Sequence, residues 1–116
     1  MKFIALAFIT SLLPVLHAAE RDIANQWCQS MSGINEFRTK DGTYVDCLTE
    51  QYAVEVEYDN NWKEGVGQAL HYAESTGKEA AIVFVKRAKS RKDYLSELLR
   101  VINKYNLPIE VFVVEE

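Results

Sequence analysis

The spacing of apolar residues along the chain predicts alternating helices and strands. Ile23, Trp27 and Met31 recur every fourth position, which is the period of a helix with one buried face. Residues 52–58 alternate between apolar and mostly polar positions instead, which is typical of a strand. Three helices are predicted: 20–32, 61–76, and a last one that begins between 90 and 93 and stops at 106. Five strands are predicted, over about 34–40, 43–49, 52–58, 80–85 and 109–114.

Turn and cap residues separate these elements. Asp41 and Gly42 predict a two-residue hairpin turn in which both positions have positive φ. Asn61 and Glu64 have the spacing of a capping box at the start of a helix, and Gly77 follows its predicted end. The order α-β-β-β-α-β-α-β predicts an α/β domain, in which a hairpin leads into two right-handed strand–helix–strand crossovers.

The first 19 residues have the composition of a secretory signal peptide. Lys2 precedes an apolar run from Phe3 to Leu16, and the small residues Ala18 and Ala19 follow. The run is shorter than the roughly 20 residues that a membrane span requires. We expect cleavage after Ala19, which leaves a single domain over 20–116, exported to the periplasm and without a membrane segment. The alternative is an uncleaved anchor helix.

The two cysteines, Cys28 and Cys47, both lie in the predicted mature domain. An even number of cysteines in an exported domain indicates a disulfide, although two buried thiols are the alternative. The positions of the two cysteines do not correspond to a zinc site, because a single histidine remains after cleavage of the leader.

The charge of the chain argues against a general nucleic-acid-binding protein. The sequence has 13 basic and 17 acidic residues, a net charge of −4. Lys2 is the only charged residue of the leader, so its removal makes the charge −5. The basic residues are nevertheless clustered in one segment. This segment is either a solvated loop or a patch that contacts phosphates; it contains Lys86, Arg87, Lys89, Arg91 and Lys92.

Three acidic residues on two adjacent predicted strands are the candidate chemistry. Asp46 lies in the middle of one strand, where aspartate is unfavourable. Glu55 and Glu57 share one side of the next strand. Carboxylates brought together repel each other, and Mg²⁺ bound by one or two of them would relieve the repulsion. The alternative is an acidic strand face exposed to solvent.

These residues also carry a resemblance to the PD-(D/E)xK nuclease superfamily, which has the restriction-endonuclease-like fold. Asp46, in Tyr-Val-Asp-Cys, corresponds to the first motif aspartate, and Glu55, in Val-Glu-Val-Glu, to the second acid. The segment from Gln68 to Tyr72 resembles the QxxxY motif of some members. The resemblance implies Mg²⁺ or Mn²⁺ at Asp46 and Glu55, and nucleic acid contacted by Gln68, Tyr72 and the basic segment.

The chain departs from this superfamily at the motif lysine, which is replaced by Glu57. Three explanations remain open. Glu57 is a metal ligand or general base, Lys63 supplies the missing positive charge from the next helix, or the site is inactive. His71 lies opposite the apolar stripe of its helix and is expected to be solvated, and Glu36 is a candidate of uncertain register. The leading hypothesis is a periplasmic metal-dependent nuclease. The alternatives are an inactive binding or interaction protein of the same fold and an acidic metal-binding protein without hydrolytic activity.

Overall fold

The computed structural model describes residues 2–4 and 20–116, which form a six-stranded sheet flanked by three helices. The α/β class predicted from the sequence is confirmed. The strands are β1 (Lys2–Ile4), β2 (Ile34–Arg38), β3 (Tyr44–Leu48), β4 (Tyr52–Tyr58), β5 (Glu79–Lys86) and β6 (Ile109–Glu115). The helices are α1 (Glu20–Ser30), α2 (Trp62–Thr76) and α3 (Tyr94–Tyr105), and a short 3₁₀ turn, Asp59–Asn61, precedes α2.

The sheet is mixed and runs in the order β1-β6-β5-β4-β3-β2. β2, β3 and β4 pair antiparallel, whereas β4, β5, β6 and β1 pair parallel. β1 lies inside the predicted leader, and the rest of that leader is outside the described residues, so the signal peptide stays a prediction. Within 2–4 and 20–116, no helix is both long and apolar enough to cross a membrane.

Two apolar cores lie on opposite faces of the sheet. On the α1 face, Trp27 packs against Phe112, with ring centroids 5.2 Å apart. On the face covered by α2 and α3, Phe84 and Leu98 are completely buried. The predicted continuation of the α1 stripe to Met31 is wrong, because α1 ends at Ser30 and Met31 is 38% exposed.

The structure changes two of the predicted turns. In the hairpin between β2 and β3, Gly42 has φ 89° but Asp41 does not have positive φ, so the predicted two-residue turn is wrong. The Thr39 N–H donates to the Thr43 carbonyl over 2.8 Å, which closes a three-residue loop with glycine as its left-handed residue. Asn61 makes no capping hydrogen bond, because the 3₁₀ turn leads directly into α2. Gly77 ends α2 with φ 73°, as predicted.

A disulfide joins Cys28 on α1 to Cys47 on β3, with the Cα atoms 5.6 Å apart, which confirms the predicted bridge. Both cysteines are completely buried. Gly33 packs directly on the bridge: a Cβ at this position would lie 2.8 Å from the Cys28 sulfur and even closer to that of Cys47. The disulfide therefore fixes α1 to the strand that carries Asp46.

Candidate carboxylate site

Asp46 lies where β3 and β4 stop pairing. The ladder between these strands consists of Cys47 with Val54 and Leu48 with Ala53. Beyond it, the Val56 N–H donates to Oδ2 of Asp46 over 2.8 Å. A carboxylate thus replaces the carbonyl that a continued ladder would supply. This hydrogen bond explains how an aspartate is accommodated in the middle of a strand.

A second carboxylate, that of Glu20, also accepts a hydrogen bond from β4 beyond its ladder with β3. Its role was not identified from the sequence. The Tyr58 N–H, two residues along β4, donates to Oε2 of Glu20 over 3.4 Å. Glu20 is the first residue of α1, three positions before the buried Ile23. Residues three apart lie on the same side of a helix, so the apolar stripe of α1 was the signal that could have placed Glu20 against the sheet.

Glu55 and Glu57 are buried on the α2 face of β4, with exposed fractions of 5% and 6%. The alternative of an acidic strand face exposed to solvent is therefore wrong. The first turn of α2 covers Glu57 at Gly65, where a Cβ would lie 3.3 Å from Cγ of Glu57. A glycine at this position allows the helix to pack closely over the carboxylate.

Three of the clustered carboxyl groups, those of Glu20, Glu55 and Glu57, have raised pKa values. Burial, followed by the charge of Asp46 and a hydrogen bond with it, raises the pKa of Glu55 to about 11. Burial, followed by the charges of Glu20 and Asp46, raises the pKa of Glu57 to about 7, although a hydrogen bond from Glu55 opposes the shift. Burial also raises the pKa of Glu20. Without a cation, the cluster therefore retains protons at neutral pH.

Tyr72 joins this cluster from α2, whereas Gln68 does not lie in the core. Tyr72 is 7% exposed and packs on Val45 and Ala53. Burial, followed by the charge of Glu55, raises the pKa of Tyr72 to about 12. Gln68 is exposed one turn earlier on the same helix. Of the two QxxxY residues, the structure brings Tyr72 to the carboxylates and leaves Gln68 at the surface.

The basic candidates lie outside the carboxylate cluster. Lys63 is exposed in the first turn of α2, with Nζ 5.8 Å from the centre of the Trp62 ring. Lys86 and Lys89 are exposed at and beyond the end of β5.

Arg87 differs from its basic neighbours because it is held in the fold. Its Nε donates to Oδ1 of Asp59 over 3.2 Å, and Asp59 is only 2% exposed. Its guanidinium also donates to Oδ1 of Asn60 over 2.7 Å and lies 5.0 Å from the centre of the Tyr58 ring. These contacts give Arg87 a structural role, because it compensates a buried carboxylate.

His71 contacts an acidic residue away from the cluster, whereas Glu36 lies beside two of the clustered carboxylates. His71 Nε2 lies 2.8 Å from Oδ2 of Asp41, and both side chains are nearly half exposed. Glu36 pairs with Arg21 and has a φ of 49°, in the left-handed region. Glu36 lines a cavity of about 140 Å³ beside Asp46 and Glu20 on the α1 side of the sheet.

The donor atoms at Asp46, Glu55 and Glu57 are carboxylate oxygens, the ligands that Mg²⁺ and Mn²⁺ prefer. Among the residues of 2–4 and 20–116, no group of three or more acidic, histidine or cysteine side chains is arranged as a complete metal site. Mg²⁺ commonly uses only one or two carboxylates and takes its other ligands from water and substrate phosphate. The residues present therefore fit a two-carboxylate Mg²⁺ site rather than a cage made by the protein alone.

Comparison with known proteins gives two relatives, both from Acanthamoeba polyphaga mimivirus and both named for a KilA-N domain. The protein R878 is 28% identical over 93 residues, which cover 80% of this chain and 25% of the relative. The protein L32 is 28% identical over 90 residues, which cover 78% of this chain and 24% of the relative. The chain thus spans about a quarter of the length of these relatives. No family model and no solved structure matches it.

Proposed function

We propose that this protein is a metal-dependent nuclease that hydrolyses phosphodiester bonds. The observation that carries the proposal is the position of Asp46, which lies just beyond the β3–β4 ladder. Its side chain accepts from the Val56 N–H beside the buried Glu55 and Glu57. Burying several carboxylates together is unfavourable unless a cation or protons neutralise them. Such a cluster, at the point where β3 and β4 stop pairing, is readily explained as a cation site and poorly explained as packing.

In this proposal, Asp46 and Glu55 would hold Mg²⁺ or Mn²⁺. When bound, such a metal polarises the phosphate and lowers the pKa of a water molecule. Glu57 would accept the proton of that water, since its pKa of about 7 suits a general base at neutral pH. Tyr72 would orient the substrate from α2, with Gln68 contacting it at the surface.

The finer parts of the proposal concern the fold family, the location and the substrate. The positions of Asp46 on β3, Glu55 on β4 and Tyr72 on α2 support the restriction-endonuclease-like arrangement. The leader composition supports export to the periplasm. Nucleic acid as the substrate class follows from the resemblance of the site residues to the nuclease superfamily; the two relatives are named for a KilA-N domain, and the similarity covers a quarter of each.

A second candidate function is an inactive protein of the same fold that binds nucleic acid or another partner. The observation that favours it is Glu57, a buried acid at the position of the motif lysine. A glutamate cannot supply the positive charge that stabilises a phosphate in its transition state.

Cleavage of labelled single- and double-stranded DNA and RNA with Mg²⁺ or Mn²⁺ tests the proposal. Asp46→Ala and Glu55→Ala should each lower the rate at least a hundredfold, because each removes a proposed metal ligand. Glu74→Ala, on the exposed side of α2, is the control and should leave the rate unchanged. Cleavage that survives both substitutions would rule out this site. Absence of cleavage with every nucleic acid, together with absence of Mn²⁺ binding, would favour the second candidate.

A further inference from the structure

Exposed basic residues from three parts of the chain lie together at the end of the sheet where β4 and β5 terminate. We call this group the basic strip. Its members belong to the first turn of α2, the end of β5 with the following loop, and α3. They are Lys63, Lys86, Lys89, Arg91, Lys92 and Arg100, all of them exposed.

The strip begins beside the carboxylate site. Lys63 lies two residues before Gly65, the position at which α2 packs on Glu57. Lys86 lies two residues after Phe84 in β5 and therefore on the same face of the sheet. Phe84 in turn pairs with Glu57 in the β4–β5 ladder. The basic and acidic groups therefore share one face and one end of the sheet.

Two acidic residues lie among the basic residues of the strip: Glu97 on α3 and Asp93, the N-cap of α3. Oε2 of Glu97 lies 2.9 Å from Lys92 Nζ, and its Oε1 accepts from the Trp62 indole over 3.2 Å. The Lys92 contacts, together with a smaller effect of the Lys63 charge, lower the pKa of Glu97. The charges of Lys86 and Arg100 also act on Asp93. These shared neighbours place the basic groups close to each other.

Both acids of the strip already have structural partners. Asp93 caps α3, since its side chain accepts from the Ser96 N–H over 3.1 Å and from the Ser96 hydroxyl over 2.7 Å. Glu64, Glu115 and Glu116 also lie near this end of the sheet. Among the residues of 2–4 and 20–116, however, Lys92 is the only member of the strip within ion-pair distance of a carboxylate. The other five cations are therefore free to attract the phosphates of a polyanion toward the site.

We propose that the basic strip binds the phosphate backbone of the nucleic acid and leads it to the carboxylate site. This inference rests on the proposed function and extends it, since the phosphate contacts come from Lys63 on α2 and Arg100 on α3 as well as from the loop after β5. Arg87 is not part of the surface because Asp59 holds it. The contacts are to phosphates, so binding should depend on salt and little on base sequence.

Fluorescence anisotropy with a labelled 20-base-pair duplex and the corresponding single strand, in EDTA, tests the strip without requiring cleavage. The double variant Lys63→Gln/Lys92→Gln should raise Kd about tenfold. It should also reduce the slope of log K against log salt by about 2, because each substituted lysine accounts for about one unit of slope. The control Lys78→Gln/Lys104→Gln makes the same charge change far from the strip, in the turn that follows α2 and in the last turn of α3. It should leave Kd within about twofold of the parent and the slope unchanged.

Equal effects of the two double variants would overturn the proposal, because they would reflect net charge alone. Unchanged binding in Lys63→Gln/Lys92→Gln would overturn it as well. So would binding to phosphatidylglycerol vesicles without binding to either oligonucleotide. A cleavage assay on the same variants tests the two proposals separately. Cleavage that does not depend on Lys63 and Lys92 would reject only the proposed role of the strip. Binding that depends on them, without any cleavage, would reject only the nuclease.

Discussion

At the scale of single residues, Glu57 is the position that most distinguishes this chain. It is buried beneath Gly65 and has neighbouring carboxylates, so its charged form is unfavourable in the absence of a cation. Its pKa in the fold is about 7, against a usual value near 4.5. At pH values below its usual pKa, Glu57 is neutral in both the folded and the unfolded chain. Between these two values the unfolded chain loses the proton and the folded protein retains it, so stability decreases as pH rises through this interval.

We expect Glu57→Gln to stabilise the metal-free protein at pH 8 and not at pH 5. An amide has the same shape and cannot become charged. The gain at pH 8 should be on the order of 1 kcal/mol, or a rise of about 5 °C in Tm for a domain of this size. Thermal unfolding followed by circular dichroism in EDTA measures it.

Glu74→Gln removes the same charge from the exposed side of α2 and is the control, with little expected change at either pH. A gain from Glu57→Gln that is equally large at pH 5 would show that packing, and not the avoided charge, is responsible.

Sequence reasoning identified the site residues that lie on strands, because period-two alternation fixes which side chains share a face. Glu55 and Glu57 were selected in this way, whereas Asp46 was selected because aspartate is unfavourable in the middle of a strand, and Tyr72 because of its motif spacing. Glu20 was missed because its contact with Tyr58 joins residues 38 positions apart in the chain. The role of Arg87 was also missed, since the buried Asp59 that holds it is 28 positions away. Local patterns do not encode such contacts.

At the scale of elements, α1 and β3 act as one unit. The disulfide ties them together one residue from Asp46, and α1 brings Glu20 to the open edge of β4. Strand β4 occupies the predicted residues 52–58, because its alternation is uninterrupted. The end of α1 was predicted less well, because a helical stripe does not show where the chain leaves the helix; here Ser32, with φ 55°, turns it toward Gly33.

We expect Cys28→Ala/Cys47→Ala to lower the free energy of unfolding by about 3 kcal/mol, because the bridge closes a loop of about 20 residues. Urea denaturation of the oxidised parent and the double variant measures the difference. A loss below about 1 kcal/mol would show that packing of α1 on the sheet suffices without the bridge.

The same variant should alter the environment of the Tyr58 amide, whose partner Glu20 lies on α1, more than that of the Val56 amide, whose partner Asp46 lies on β3. Amide chemical shifts from NMR spectra compare the two. Equal and small changes at both amides would mean that α1 keeps its position after the bridge is removed.

At the scale of the whole molecule, the charge is divided between two neighbouring regions. Raised carboxyl pKa values are concentrated at Glu20, Glu55 and Glu57. The lowered values at Asp41, Asp93 and Glu97 come from surface hydrogen bonds and contribute stability that is lost only in acid. Above pH 5 the latter groups are ionised in both folded and unfolded chains. The buried cluster therefore dominates how stability changes between pH 5 and pH 8.

We predict that the metal-free protein loses stability as the pH rises from 5 to 8, and that Mn²⁺ reverses this loss. In this interval the glutamates of the unfolded chain are ionised whereas the folded cluster retains protons, so the fold loses stability as the pH rises. Mn²⁺ replaces those protons and should bind more tightly at pH 8 than at pH 5. Tm measured with EDTA and with millimolar Mn²⁺ at both pH values tests this. Asp46→Ala/Glu55→Gln, which removes two of the carboxylates, should abolish the Mn²⁺ effect and reduce the pH dependence to the part that comes from the buried Glu57 and Glu20. A Mn²⁺ effect that persists in this variant would place the cation elsewhere on the protein.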